Sequence, residues 1–358
     1  MLAQLLEIDG TSRSRPMEGL RGVAVGLVFL QHYCTQFLTY AEVSGPTRRL
    51  AEFFHEVGNY GVELFFVLSG FLIYGILLRR RPKFLPFMAR RAQRLYPAFI
   101  VAFLIGVAFD WLRPEPKIPH GLVAGSLYIA ANVAFLPGLF PINPLFAVNW
   151  SLSYEWWFYL IATMLFSVLG LATLPQRYRI CLIAGFATAL VALSFAGLPG
   201  VPIRGLPFFG GMMLAEAALV GWRLPQGIAI GLTLICAVSV STSALPPWAC
   251  EVMLMVGFTA LVSISEGPVA RALSQRYLRW FGNMSYSYYL VHAFAVLLAV
   301  HSVFWLLGAA RGNLEFWLCL APTFVLTLCV GGALFLLVEK PYSIERTPRA
   351  TQKIRLAA

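Results

Sequence analysis

The stretch VGNYGVELFFVLSGFLIYGILL, residues 57–78, decides the fold. Its 22 residues contain one charged side chain, Glu63, and Arg79, Arg80 and Arg81 follow it directly. An α-helix rises about 1.5 Å per residue, so the run covers roughly 33 Å, close to the ~30 Å hydrocarbon core of a bilayer. Similar runs occur at 18–41, 95–113, 149–170, 180–198, 205–221, 226–243, 249–265, 281–308 and 314–338. That pattern predicts an all-α, polytopic membrane helix bundle with ten spans. Composition agrees: 59% of the 358 residues are hydrophobic and 12% are charged, about half the roughly 25% of soluble domains. Mean hydropathy is +0.74. No hydrophilic block is long enough for a separate domain, so residues 1–358 read as one integral membrane domain with short tails at 1–17 and 341–358.

Charge sets the expected topology. Lys and Arg number 27 against 16 Asp and Glu, for a net charge of +11. The basic residues lie between apolar runs, which points to the positive-inside rule and anionic lipid rather than to nucleic acid. With the N-terminus inside and ten spans, 21 basic residues fall inside and 6 outside. The segment 121–140 is apolar but broken by Gly121, Gly125, Asn132, Pro137 and Gly138. Counting it as an eleventh span gives 12 inside and 15 outside, so it is expected at the outer face or dipping into it, with both termini cytoplasmic. Arg13 and Arg15 precede a first run with no small-residue cleavage site, which reads as an uncleaved helix. The six cysteines show no metal-ligand spacing and mostly sit in apolar runs, so neither a disulfide nor a metal site is expected. No internal repeat is visible.

Ionisable residues inside a membrane are costly and mark candidate sites. In the first span Arg21 and His32 are eleven residues apart, about three helical turns and roughly 16 Å along one face. Glu63 enters the second span and Glu155 the fourth, in NWSLSYEWWFYL at 149–160. Topology puts His32, Glu63 and Glu155 at similar depth. A histidine beside a carboxylate is the minimum for general base catalysis, because the carboxylate orients the imidazole. A polar network that only holds helices together is the competing reading. On the inner face, RRRPKFLPFMARRAQRLYP at 79–97 carries Arg90, Arg91 and Arg94 at helical spacing. Guanidinium forks suit phosphates, so a nucleotide or coenzyme A fits this loop, although such a loop also sets topology. Tyr286 and His292 are weaker candidates for the same cavity. Arg204 opens a span on the outer side, where it could meet an anionic acceptor, and Glu216 lies near an inner helix end. Trp150, Trp156 and Trp157 read as an outer aromatic belt. His55, His120 and His301 receive no role.

These segments resemble the acyltransferase-3 family of bacterial membrane O-acyltransferases. RPMEGLRGVAVGLVFLQH at 15–32 is similar to the family's opening motif, and GVELFFVLSGFLI at 61–73 to its second-span motif. FLPFMARRAQRLYPAF, NWSLSYEWWFYL, RWFGNMSYSYYLVH and the final VEKP at 338–341 follow in the family's order. The resemblance implies ten helices, a cytosolic acyl-CoA donor, and transfer to a hydroxyl, usually of a sugar. By that match Arg21 and His32 correspond to the family's essential Arg-His pair, and Arg21, Arg90, Arg91 and Arg94 become expected acyl-CoA ligands. Glu18 and Glu63 stand where the family often has Asp, and the tryptophan pair 156–157 replaces a more polar stretch. Ending at Ala358, the chain resembles the stand-alone members, which lack an extracytoplasmic hydrolase-like domain.

The expected function is acyl transfer, most simply acetyl, from cytosolic acyl-CoA to a hydroxyl of a cell-surface or secreted glycan or lipid-linked sugar at a bacterial inner membrane. Acyl-CoA is a co-substrate, and no cofactor is expected. His32 would deprotonate the acceptor, with Glu63 and Glu155 assisting; an acyl-His32 intermediate is the variant. Ser69 and Ser151 are candidate oxyanion donors, and Trp150, Tyr286 and His292 candidate cavity walls. The rival is a proton-coupled transporter or flippase in which His32, Glu63 and Glu155 relay protons. A polytopic assembly factor, for which His32 would be replaceable, is a third reading.

Overall fold

The computed structural model describes residues 14–344 except 114, 198–201, 223, 242–245 and 308–311. Arg13, Arg223, Arg311, Arg346, Arg349, Lys353 and Arg355 of the topology count lie outside these, as do most of both tails. The described residues form helices joined by short connections, with no strand among them. In chain order they are α1 Arg15–Tyr40, α2 Gly45–Asn59, α3 Gly61–Arg80, α4 Phe84–Trp111, α5 Leu122–Val133 and α6 Asn149–Thr163. There follow α7 Gln176–Phe195, α8 Leu206–Leu219, α9 Gln226–Ser241, α10 Pro247–Val262, α11 Gly267–Leu273, α12 Arg276–Asn283, α13 Ser285–Leu307 and α14 Asn313–Leu334.

Each of the ten expected spans falls on a helix. Five helical stretches are long and apolar enough to cross a membrane: Gly45–Arg80, Phe84–Trp111, Gln176–Phe195, Ser285–Leu306 and Asn313–Ile344. A sixth is reached if Trp248–Val262 and Gly267–Leu273, bent by 90°, form one span. The apolar surface faces outward as lipid contact requires: in α7 only Ile183 is buried, and Leu104, Trp305 and Leu318 are more than half exposed. Segment 121–140 is the short helix α5 followed by a turn through Phe135 and Gly138, both at positive φ.

Three features of the packing place the site. Helix α1 runs through the interior, in contact with α2, α3, α12 and α13. Helices α3 and α8 approach closely: a Cβ on Gly70 would lie 2.2 Å from the Phe208 carbonyl oxygen, and one on Gly211 2.1 Å from that of Val67. Lipid gives no hydrophobic drive to helix pairing, so glycines that allow such contact do much of the joining. Finally, α14 continues into a π-helical stretch, Phe335–Ile344, that contains Pro341. Proline cannot donate an intrahelical bond, and wide turns of this kind re-aim side chains.

The three tryptophans expected as an aromatic belt are half-buried and make contacts within the protein. Trp150 lies under Arg204. Trp156 packs on the rings of Tyr96 and Phe135, and Trp157 Nε1 donates to the Phe135 carbonyl at 3.0 Å. The turn after α5 supplies Phe135, and no periodicity in α6 announces that turn.

Candidate active site

Helix α1 carries His32 to the end of the bundle where α3 and α6 begin. A cavity of about 200 Å³ lies there, lined among others by His32, Asn59, Val62, Val148, Trp150 and Tyr289. His32 is partly exposed. Its Nδ1 lies 3.0 Å from the Val28 carbonyl oxygen and 3.4 Å from Nε2 of His292. The two imidazoles meet edge to face, 4.8 Å apart at 88°. His292 is fully buried, with Nδ1 2.8 Å from the Tyr289 carbonyl oxygen. The Tyr289 hydroxyl is 2.6 Å from Ser151 Oγ, which donates to the Val148 carbonyl at 2.9 Å. No hydrogen bond involves Nε2 of His32 among the described residues.

No hydrogen bond or ion pair joins His32 to Glu63 or Glu155. Glu63 is fully buried, and its Oε1 is 2.6 Å from the Arg204 guanidinium. Arg204 also donates to the Asn59 carbonyl at 3.2 Å and lies 4.1 Å from the Trp150 ring centroid. The arginine expected to face an acceptor anion is therefore bound to the carboxylate expected to face His32. Six residues along α6 from Asn149, or roughly 9 Å, Glu155 accepts hydrogen bonds from Ser69 Oγ at 3.2 Å and from the Tyr159 hydroxyl. The residue that meets His32 is His292, expected only as a cavity wall.

The basic residues gather at the opposite end, where α1 and α4 begin. Arg90 is exposed. Arg91 is half-buried, with its guanidinium 5.0 Å from the Phe87 ring and 5.6 Å from that of Tyr159, and its buried Nε has no partner. Arg94 instead donates to the fully buried Glu339 at 2.5 Å and lies over the Tyr286 ring at 5.7 Å. Glu339 also accepts from the Ser287 backbone N–H at 3.0 Å and hydroxyl at 2.5 Å. The Tyr286 hydroxyl donates to the Leu95 carbonyl at 2.7 Å. Arg21 donates from Nε to Ser285 Oγ at 3.2 Å. Glu216, expected at the interface, is buried and held by both arms of Arg179 at 2.7 and 2.9 Å.

Two functional candidates escaped the sequence reading. Glu339 sits in the VEKP that closes the last apolar run, and its link to Arg94 depends on the π-helical turn. Glu251, buried on α10 with an unpartnered Oε2, is the one acidic residue in the run 249–265; the rule that singled out Glu63 would have found it. No group of three or more His, Cys, Asp or Glu side chains suited to a metal ion occurs among the described residues.

The sequence that builds these two ends resembles those of known proteins. A family profile described as an acyltransferase domain matches residues 16–336. The chain belongs to the acyltransferase-3 family. Both ends of the site lie within the matched segment, apart from Glu339 just beyond it. Acyltransferase MdmB of Streptomyces mycarofaciens is 28% identical over 91% of this chain and 90% of its own length. Exopolysaccharide production protein ExoZ of Rhizobium meliloti (strain 1021) is 30% identical over 67% of this chain and 77% of its own. A Staphylococcus aureus (strain COL) protein whose name marks it provisionally as O-acetyltransferase SACOL0978 is 31% identical over 46% of this chain and 26% of its own length. No solved structure matches. This member of the family is thus an acyltransferase with membrane-spanning helices.

Proposed function

We propose that the chain transfers an acyl group, most simply acetyl, from acyl-CoA to a hydroxyl of a glycan or lipid-linked sugar, in a bacterial inner membrane that it crosses ten times with both termini cytoplasmic. One observation carries the reading: His32 lines the cavity, and its Nε2 has no hydrogen-bond partner among the described residues. That nitrogen is free to take a proton. Arg90 and Arg91 have no carboxylate in ion-pair range among the described residues and suit the donor's phosphates. His32 Nε2 takes the acceptor O–H proton as the oxygen attacks the thioester carbonyl. The C–S bond of the tetrahedral intermediate then breaks, and the proton passes to the departing CoA sulfur. The products are an ester and free CoA. Tyr289 lines the cavity beside Ser151, and either hydroxyl would have to turn from its present partner to donate to the oxyanion. The names of the relatives, for acyl and O-acetyl transfer and for exopolysaccharide production, support this class of reaction and acceptor.

The test is purified chain in lipid nanodiscs, supplied with labelled acetyl-CoA and a hydroxylated glycan fraction. The expected result is an alkali-labile labelled ester on the glycan, with CoA released and no ion gradient required. Absence of ester, together with gradient-dependent movement of a glycan precursor in vesicles, would replace this function with transport.

A further inference from the structure

We propose that His292 is the positioning residue for His32, fixing its tautomer and ring plane in the place where catalytic histidines commonly have a carboxylate. The inference rests on reading His32 as the base. A neutral imidazole has one N–H donor and one acceptor nitrogen, and the partner of one nitrogen sets the role of the other. The Val28 carbonyl, a pure acceptor, stands 3.0 Å from His32 Nδ1, so that nitrogen carries the hydrogen. The Tyr289 carbonyl stands 2.8 Å from His292 Nδ1, so His292 also carries its hydrogen there. Nε2 of His292 is then an acceptor, and it points at His32 Nδ1 from 3.4 Å. The chain of donors runs one way, from His32 to His292 to the Tyr289 backbone. It leaves the lone pair of His32 Nε2 for the cavity.

The second acceptor does what Val28 alone cannot. A carbonyl on the same helix selects a tautomer only while the ring faces it, and it does little to stop the ring turning over, after which either nitrogen can carry the hydrogen. His292 closes that route: turning His32 by half a rotation would present a C–H to two acceptors at once. His292 is itself immobile, being fully buried, stacked on Tyr288 at 5.6 Å and 6°, and beside Tyr289 at 5.8 Å. Tyr289 is pinned through its hydroxyl to Ser151. Helix α13 thus braces the base on α1, and α6 braces α13. Groups that hold a functional histidine in this way typically contribute about 10–100-fold. Because Val28 remains in any His292 variant, the loss should stay within that range rather than reach the effect of removing the base.

The experiment uses the full chain in nanodiscs with ¹⁵N-labelled histidine, His32 being assigned by its disappearance in His32→Gln. In the wild type the ¹⁵N shifts of His32 should report the tautomer protonated at Nδ1. His292→Leu should give a mixture of tautomers, lower kcat by about 10–100-fold and leave the acyl-CoA KM unchanged. His292→Gln places an amide oxygen near the position of Nε2; it should restore the single tautomer and bring kcat to within about threefold of wild type. If the tautomer is unchanged in His292→Leu, the inference is wrong, whatever happens to the rate. A tautomer change in His292→Leu with unchanged kcat would uphold the positioning and overturn His32 as the base, which separates the two failures.

Discussion

At the end of the bundle that holds His32, Arg204 is ion-paired to buried Glu63 at 2.6 Å and laid on Trp150. At the other end Arg91 has the rings of Phe87 and Tyr159 around it but no carboxylate in ion-pair range among the described residues, and Arg90 is exposed. One end has its arginine neutralised beside a cavity with an unbonded imidazole nitrogen; the other keeps unsatisfied guanidinium groups. A hydroxyl acceptor needs a free base and gains little from a naked cation. A polyphosphate donor needs the cations. Arg94 is the exception at its own end, being bound to Glu339. The difference teaches that an intramembrane arginine is read by its partner rather than by its position.

Removing the base should have the largest effect. His32→Gln is expected to lower kcat by about 10²–10⁴-fold while CoA binding, followed by calorimetry, stays unchanged, because the arginines proposed to hold the donor are at the far end. A parallel loss of CoA affinity would break the separation of the two ends. Next is Arg94, as a structural arginine among ligands. Arg94→Leu strands buried Glu339 and should destabilise the protein by about 3–5 kcal/mol in detergent unfolding. The double variant Arg94→Leu/Glu339→Leu should recover most of that. If the recovered protein has normal donor KM, Arg94 belongs to the scaffold; a raised KM would return it to the donor site. Arg91→Ala should raise the donor KM by roughly 10–100-fold, the value of a charge-assisted contact of about 1.5–3 kcal/mol. Arg91→Lys should recover only part, because a point charge replaces a planar fork stacked between rings. The smallest effect is at exposed Arg90, where Ala should cost no more than about fivefold in KM, diminishing with salt.

How much of this the sequence carries varies with the physics involved. Apolar length located helical residues, although the runs 57–78 and 281–308 each cross a break between two helices. That Arg21 and His32 lie on one helix was legible because helical periodicity is local. The partner of His32 was not. Similar depth grouped His32, Glu63 and Glu155, but depth on three helices does not fix which faces meet. Rotation about the helix axes sends Glu63 to Arg204 and Glu155 to Ser69, and brings His292 from α13 to His32. The Arg94–Glu339 pair needed the π-helical stretch at Phe335–Ile344, a change of winding that 3.6-residue periodicity cannot foresee. The break between α2 and α3 at Tyr60 is also tertiary, because the apolar run passes through it unchanged.

The division of labour between the ends is tested most directly by a sided assay. The chain is reconstituted in one orientation in sealed vesicles, with labelled acetyl-CoA confined to the face bearing Arg90 and a membrane-impermeant glycan confined to the face of the His32 cavity. The expected result is labelled ester on the glycan while the two substrates never share a compartment, and none from His32→Gln. Label appearing only when donor and glycan are placed on the same face would contradict the account.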